Sequence, residues 1–417
     1  MPYTEECQST LARISADNHS LSSLGFFLDS AAQWHADFDQ DRVMPSVVVL
    51  GYGIPEQLVY ACGTAPYHLL GGSHAACQWS DDVMPRDSDP VSRSILGHAL
   101  RLAKRSDIHP LFVVPAVNDN LRKISYLLKR EGCSVLPVDI PPSAASVSAQ
   151  RSWEHAMDTL VKTIEQRVSG RSTSRSLRDA DHFVGAARVA MVNFQKICAA
   201  CEGVLSDEAI LLVLHTYYLA YDLAQWTVML NRLSTEVQAR HRVLQRVATY
   251  RPRTIVVGSP ILFPQYKVPS LIHDAGMRLL ACIDPASTTR FASLAADERE
   301  GGTRRLMHAI ARKHYAFDAS SAHVVNHSME QYVEHFISKA NVEGVVFHIL
   351  KGQIEYDFML ARLEPLLERH DLPVFRLETD YQAQDVEQLR IRLEAFGEML
   401  EQRAFANGHL QAQRRYA

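Results

Sequence analysis

Polar side chains with chemical potential recur in one setting, directly after short apolar runs. Ser46-Val-Val-Val-Leu-Gly51 leads to Tyr52 and then, at the next helix start, to Glu56. Val257-Gly258 leads to Ser259, and Gly344-Val-Val-Phe-His-Ile-Leu350 leads to Lys351 and Gln353. A lysine in such a turn binds a phosphate or thioester oxygen, or simply stands in water, and Ser259 carries the same two readings. The Gly51-Tyr-Gly-Ile-Pro turn offers backbone amides at a helix start, where an anion is favoured. It lacks the G-x-G-x-x-G spacing, so no dinucleotide fingerprint is present. Glu56 is either a first-turn acid favoured by the helix dipole or a group facing a cleft. Asp357 and the Glu378-Thr-Asp380 acids suit proton transfer or surface capping equally.

Metal-ligand patterns are weaker. His323, His327, Glu330 and Glu334 fall at i, i+4, i+7 and i+11, one face if the segment is helical. Two histidines four apart with a carboxylate can bind zinc, but the order is not His-Glu-x-x-His, and a solvated helix face is the plainer reading. Cys198-Ala-Ala-Cys201 has no second pair nearby and reads as buried thiols in a helix. Cys62, Cys77, Cys133 and Cys282 lie in or beside apolar stretches. Seven cysteines at irregular spacing make no disulfide framework, and reduced thiols in the cytoplasm are expected.

Bulk properties exclude some classes. The 417 residues are 47% hydrophobic and 22% charged, ordinary for a globular chain long enough for two or three domains. A formal net charge of −4 gives no electrostatic reason for a nucleic-acid or membrane partner. The first residues, MPYTEECQST, show no basic stretch followed by an apolar run, as a secretory signal would. The most apolar window, Ala209 to Asn231, is interrupted by His215, Asp222 and Gln225, and is expected to be a core helix.

The elements that must hold these turns alternate between short β-branched runs and amphipathic stretches. That pattern predicts an α/β fold: two Rossmann-like (flavodoxin-like) parallel-sheet lobes with a helical N-terminal arm and a helical middle segment. The expected division is an arm over 1–44, a first lobe over 45–145, helices over 146–250, a second lobe over 251–405 and a polar tail over 406–417. Ligands of open parallel sheets sit beyond the carboxyl ends of the strands. The turns after Leu50, Val114, Val257, Ile283 and Leu350 are therefore the places to look.

At these same turns the chain resembles the large subunits of 2-hydroxyacyl-CoA dehydratases and benzoyl-CoA reductases. The matching pieces are Gly51-Tyr-Gly-Ile-Pro-Glu56, Ala65-Pro-Tyr-His-Leu-Leu-Gly-Gly72 and Pro90-Val-Ser-Arg-Ser-Ile-Leu-Gly97. They continue with Val257-Gly-Ser-Pro260 and the block from Lys351-Gly-Gln-Ile-Glu-Tyr-Asp357 through Arg392-Leu-Glu-Ala-Phe396. The resemblance implies two similar α/β domains holding a [4Fe-4S] cluster between them, radical chemistry on an acyl-CoA, and pairing of related subunits. Three departures bear on the cluster. Asp89 stands where the family has a cysteine before the proline of Arg86-Asp-Ser-Asp-Pro90, and Asn118 stands at the second such place, in Ala116-Val-Asn-Asp119. The third place, within Asp284-Pro-Ala-Ser-Thr-Thr-Arg290, has no cysteine either. Carboxylate and amide replace thiolate poorly around iron–sulfur clusters, so no cofactor and no metal is expected in this chain.

Two functions follow as expectations. One is a dehydratase-like or reductase-like subunit that pairs with itself or with a cluster-bearing sister. In it, Tyr52, Glu56, Asp89, Asn118, Asp119, Ser259, Lys351 and Gln353 would line a cleft for an acyl-CoA or other small molecule. The other is a non-catalytic scaffold or regulatory paralogue that keeps the fold and pairing surface.

Overall fold

The structure, a computed structural model, describes residues 3–18, 21–141, 146–243, 250–288, 301–317 and 328–406. The apolar runs form two four-stranded parallel sheets. The first contains β1 (Val47–Leu50), β2 (Pro66–Leu69), β3 (Leu111–Ala116) and β4 (Ser134–Asp139), in the order β2-β1-β3-β4. The second contains β5 (Arg253–Gly258), β6 (Arg278–Ile283), β7 (Gly344–Leu350) and β8 (Val374–Thr379), in the order β6-β5-β7-β8. The two orders are equivalent, and every pairing is parallel. Residues of β1, β3 and β7 are buried throughout, as expected where helices cover both faces of a parallel sheet. In each lobe the order reverses beside the first strand, which opens a crevice at the carboxyl ends of β1 and β3, and of β5 and β7.

The helices divide among arm, lobes and middle segment. The arm is α1 (Tyr3–Asp17) and α2 (Leu24–Asp39). The first lobe carries α3 (Glu56–Ala61), α4 (His74–Gln78), α5 (Pro90–Ala103) and α6 (Asp119–Arg130). The middle segment is α7 (Val147–Glu165), α8 (Ser174–Ala200), α9 (Asp207–His215) and α10 (Leu223–Val243). The remaining helices are α11 (Lys267–Asp274), α12 (Pro285–Thr288), α13 (Thr303–Phe317), α14 (Ser328–Lys339), α15 (Glu355–Arg369) and α16 (Val386–Ala406). None in the described residues is long and apolar enough to cross a membrane. The apolar window resolves into α9, a short 3-10 turn over Thr216–Leu219 and α10, with Leu212, Trp226 and Leu230 fully buried.

The lobes are tied by the chain outside the sheets. Glu6 of α1 accepts from the Ser73 hydroxyl (2.8 Å) and the His74 amide (3.0 Å) at the start of α4. One turn on, the Thr10 hydroxyl donates to Pro264 O (3.1 Å) in the second lobe. Helix α13 follows the second lobe's β6, yet packs in the core of the first. Its Ala311 carbonyl accepts from Trp153 Nε1 (2.7 Å), and Leu306, Ile310 and Tyr315 share a cluster with Val47 and Val49.

Candidate functional site

The five strand-end turns meet in one place. Gly51 and Tyr52 after β1, Val117 and Asn118 after β3, Pro260 after β5, Pro285 after β6, and Gln353, Glu355 and Tyr356 after β7 line a single recess. Asp89, Val91, Ser92 and Ile95 at the start of α5 complete it. Its empty volume is about 510 Å³, counted to its open mouth. Both crevices therefore contribute to one inter-lobe site, the larger share of the lining coming from the first lobe.

Asp89 is the centre of the polar network. It is the N-cap of α5 and 1% exposed; Oδ1 accepts from Ser92 N (2.9 Å) and from Gln353 Nε2 (3.1 Å). Its Oδ2 accepts from Asn120 Nδ2 (2.7 Å). Asn118 caps α6, accepting from Leu121 N (2.9 Å). An acid at a helix N-terminus is stabilised by the amides and dipole there, which explains how Asp89 is buried with no cation paired to it among the described residues. Glu355 opens α15 on the other side of the recess. Burial raises its carboxyl above the usual range, and the charges of Asp89 and Asp119 push it further up.

The other expected residues are placed differently. Glu56 lies in a neighbouring pocket that shares Tyr52 with the recess, where it pairs with Arg188 of α8 (2.9 Å) and accepts from the Tyr217 hydroxyl. Ser259 is fully buried; its hydroxyl accepts from Leu350 N (2.9 Å), extending the β5–β7 pairing by a side chain. Asp119 is exposed on the first turn of α6, outside the lining. Lys351 is exposed and pairs with Asp380 at 3.0 Å. Gly352, at φ +86°, turns the chain between them, so Lys351 and Gln353 take opposite sides of one short turn. Thus the structure brings Tyr52, Asp89, Asn118 and Gln353 together, and leaves Asp119, Ser259 and Lys351 outside the lining. Glu355 and Tyr356 join the site; only their position directly after the Lys-Gly-Gln turn marks them in the sequence. His323 and His327 lie outside the described residues, and Glu330 is paired with Arg362 (2.5 Å).

The three places that the resemblance assigns to cluster cysteines converge here, as Asp89, Asn118 and the turn carrying Pro285. No cysteine lines the recess. Cys77 is the thiol closest in sequence to Asp89, and its Sγ donates to Ser73 O and Pro90 O (3.3 Å each). Burial pushes that thiol up to about 12, the opposite of what a thiolate ligand needs. The lining offers carboxylate, amide and phenol oxygens, hard donors that do not fit an iron–sulfur cluster.

The family described as 2-hydroxyglutaryl-CoA dehydratase, D-component, matches residues 52–400. Among curated proteins, the chain is 25% identical over 370 residues to "Putative dehydratase subunit YjiM" of Escherichia coli (strain K12), covering 87% of this chain and 93% of that one. It is 21% identical over 361 residues to the (R)-2-hydroxyglutaryl-CoA dehydratase subunit beta of Acidaminococcus fermentans, covering 84% and 91%. It is 20% identical over 350 residues to the (R)-phenyllactyl-CoA dehydratase beta subunit of Clostridium sporogenes, covering 83% and 89%. With two equivalent parallel-sheet lobes and a match across most of its length, the chain belongs to the 2-hydroxyglutaryl-CoA dehydratase D-component family.

Proposed function

We propose that this chain is a cluster-free subunit of a 2-hydroxyacyl-CoA dehydratase-like assembly, paired with a related subunit that keeps the cysteines. Its own recess then receives the acyl part of the substrate or a small polar group, and does no electron transfer. The observation that carries this is the convergence of Asp89, Asn118 and the Pro285 turn on one recess with no thiol among its lining. Two relatives bear the name of beta subunits, which supports pairing with a second chain. So do Ile354 and Phe358, four apart at the start of α15 beside the recess and 67% and 68% exposed. Large apolar side chains held in water next to a site are what a partner subunit covers.

Within the recess, Tyr52 and Tyr356 supply walls, while Asn118, Gln353 and Glu355 supply polar groups that orient a bound hydroxyl or carbonyl. The other reading, a scaffold without chemistry, has one observation on its side: the Gln353–Asp89 hydrogen bond joins the two lobes across the recess.

Purification without oxygen, with iron and acid-labile sulfide measured per chain, tests the reading. Neither should accompany this chain alone, and a cysteine-bearing relative encoded in the same organism should co-purify with it. Stoichiometric iron with sulfide in the isolated chain would overturn it. In the reconstituted pair, Tyr52→Phe and Glu355→Gln separate the two roles. Turnover falls with the assembly intact if the recess takes part, and is unchanged if this chain is a scaffold.

A further inference from the structure

The recess is acidic, and among the described residues no Lys or Arg side chain lines it. Asp89 and Glu355 both face it, Asp89 accepts only from uncharged donors, and Glu355 makes no ion pair among the described residues. A second observation is independent of the charges. Gln353 is 5% exposed; its amide nitrogen bonds to Asp89, and its Oε1 is buried without any hydrogen-bond partner. A buried acceptor left unmet is costly, so Gln353 Oε1 calls for a donor or a cation. An ionised carboxylate has about four acceptor positions, of which Asp89 uses three.

We propose that the recess binds one hydrated divalent cation of the Mg²⁺ or Mn²⁺ kind, held by Gln353 Oε1 and the Glu355 and Asp89 carboxylates, with water completing its shell. All-oxygen donors select hard cations. Among the described residues no group of three His, Cys, Asp or Glu side chains is placed to hold an ion. A zinc site of three or four such ligands is therefore not present among the described residues. An ion that keeps several waters on one or two carboxylates fits instead. Asp89 comes from the first lobe and Gln353 and Glu355 from the second, so the ion joins the lobes where their sheets face each other.

The inference rests on the cluster-free reading, and the two fail separately. Iron with sulfide in the chain would remove both, whereas an iron-free chain that ignores Mn²⁺ removes only this one. The test is titration of the metal-stripped, full-length chain with Mn²⁺, followed by the loss of the free-ion signal in electron paramagnetic resonance. About one Mn²⁺ per chain should bind and be displaced by excess Mg²⁺. Glu355→Gln, which breaks no ion pair, and Gln353→Leu should each weaken binding by about tenfold or more, and Lys351→Ala should leave it unchanged. Absence of saturable binding at millimolar Mn²⁺, or one-site binding at wild-type strength in both variants, would overturn the site.

Discussion

Gln353 Nε2 donates to Asp89 Oδ1 at 3.1 Å, across 264 residues of sequence and from one lobe to the other. Both side chains are buried, so the bond is shielded from water. A hydrogen bond to a charged group contributes about 1.5–3 kcal/mol. Gln353→Ala should therefore lower stability by about 2 kcal/mol, read as the shift in the urea midpoint with chelator present. A loss below about 0.5 kcal/mol, the usual scatter of neutral substitutions, would mean that the two lobes do not depend on this contact.

The second lobe contact has no side chain at all. Gly72 adopts φ +88°, and a Cβ there would sit 2.5 Å from Phe263 O and 2.9 Å from Leu262 O. Both neighbours are backbone atoms, which cannot swing aside. Gly132 has a similar φ of +79° but open space where the Cβ would go. Gly132→Ala should cost only the conformational penalty, about 1 kcal/mol. Gly72→Ala should cost about 3 kcal/mol or more, because the lobes must also part. Equal midpoints for the two variants would show that the lobes are not held at this distance in solution.

Glu56 and Arg188 form a pair with side chains 8% and 6% exposed, and the Tyr217 hydroxyl also donates to the carboxylate. Removing one partner of such a pair strands the other charge in a dry site, at about 3–5 kcal/mol. Arg188→Met should fall in that range. Combining it with Glu56→Gln should restore part of the loss, since neither charge then remains. The double-mutant cycle measures this directly, and strict additivity would contradict the coupling.

Much of this arrangement is legible in the residues. The alternation of β-branched runs with amphipathic stretches is enough for two parallel sheets, and the rule for ligands at strand carboxyl ends is enough for the recess. Tyr52, Asp89, Asn118 and Gln353 follow from those two ideas and the family motifs. What is not legible is which way a turn residue faces. Lys351 and Gln353 are two residues apart, and only the left-handed Gly352 sends one to Asp380 and the other to Asp89. Glu56 looks like an ordinary first-turn acid because its partner lies 132 residues away on another helix. Strand β2 is four residues long, begins with proline and has two half-buried positions, too little pattern for a period-2 signal. Ser259 reads as a reactive hydroxyl until its bond to Leu350 N shows it mending a sheet edge beside Gly258, where any Cβ would meet His348 O.

A last prediction concerns pH. His35 and His98 are 5% and 3% exposed and sit among the rings of Tyr3, Phe38 and Trp79. His98 Nδ1 donates to Ser94 O (2.9 Å), which leaves an unprotonated Nε2 with no partner. Burial lowers the His98 imidazole to about 4, against the raising effect of the Ser94 carbonyl and with the Arg101 charge lowering it further. Burial, with the nearby His98, lowers His35 to about 3. In the unfolded chain both rings titrate near 6.5. Below that value the unfolded chain binds protons that the folded one refuses, so stability is full above pH 6.5 and falls as pH drops. At up to about 1.4 kcal/mol per pH unit for each ring, acidification from pH 7 to pH 5.5 should remove about 2–3 kcal/mol through these two rings. Two further buried imidazoles, His348, lowered by burial to about 4, and His68, also lowered by burial, add to the loss in the same window. Urea midpoints at pH 7, 6 and 5.5 check the slope, and His98→Phe, which keeps the ring packing, should make it shallower by one ring's share, about 1 kcal/mol between pH 7 and 5.5. A flat profile from pH 7 to 5.5 would show that the imidazoles reach water in the folded chain.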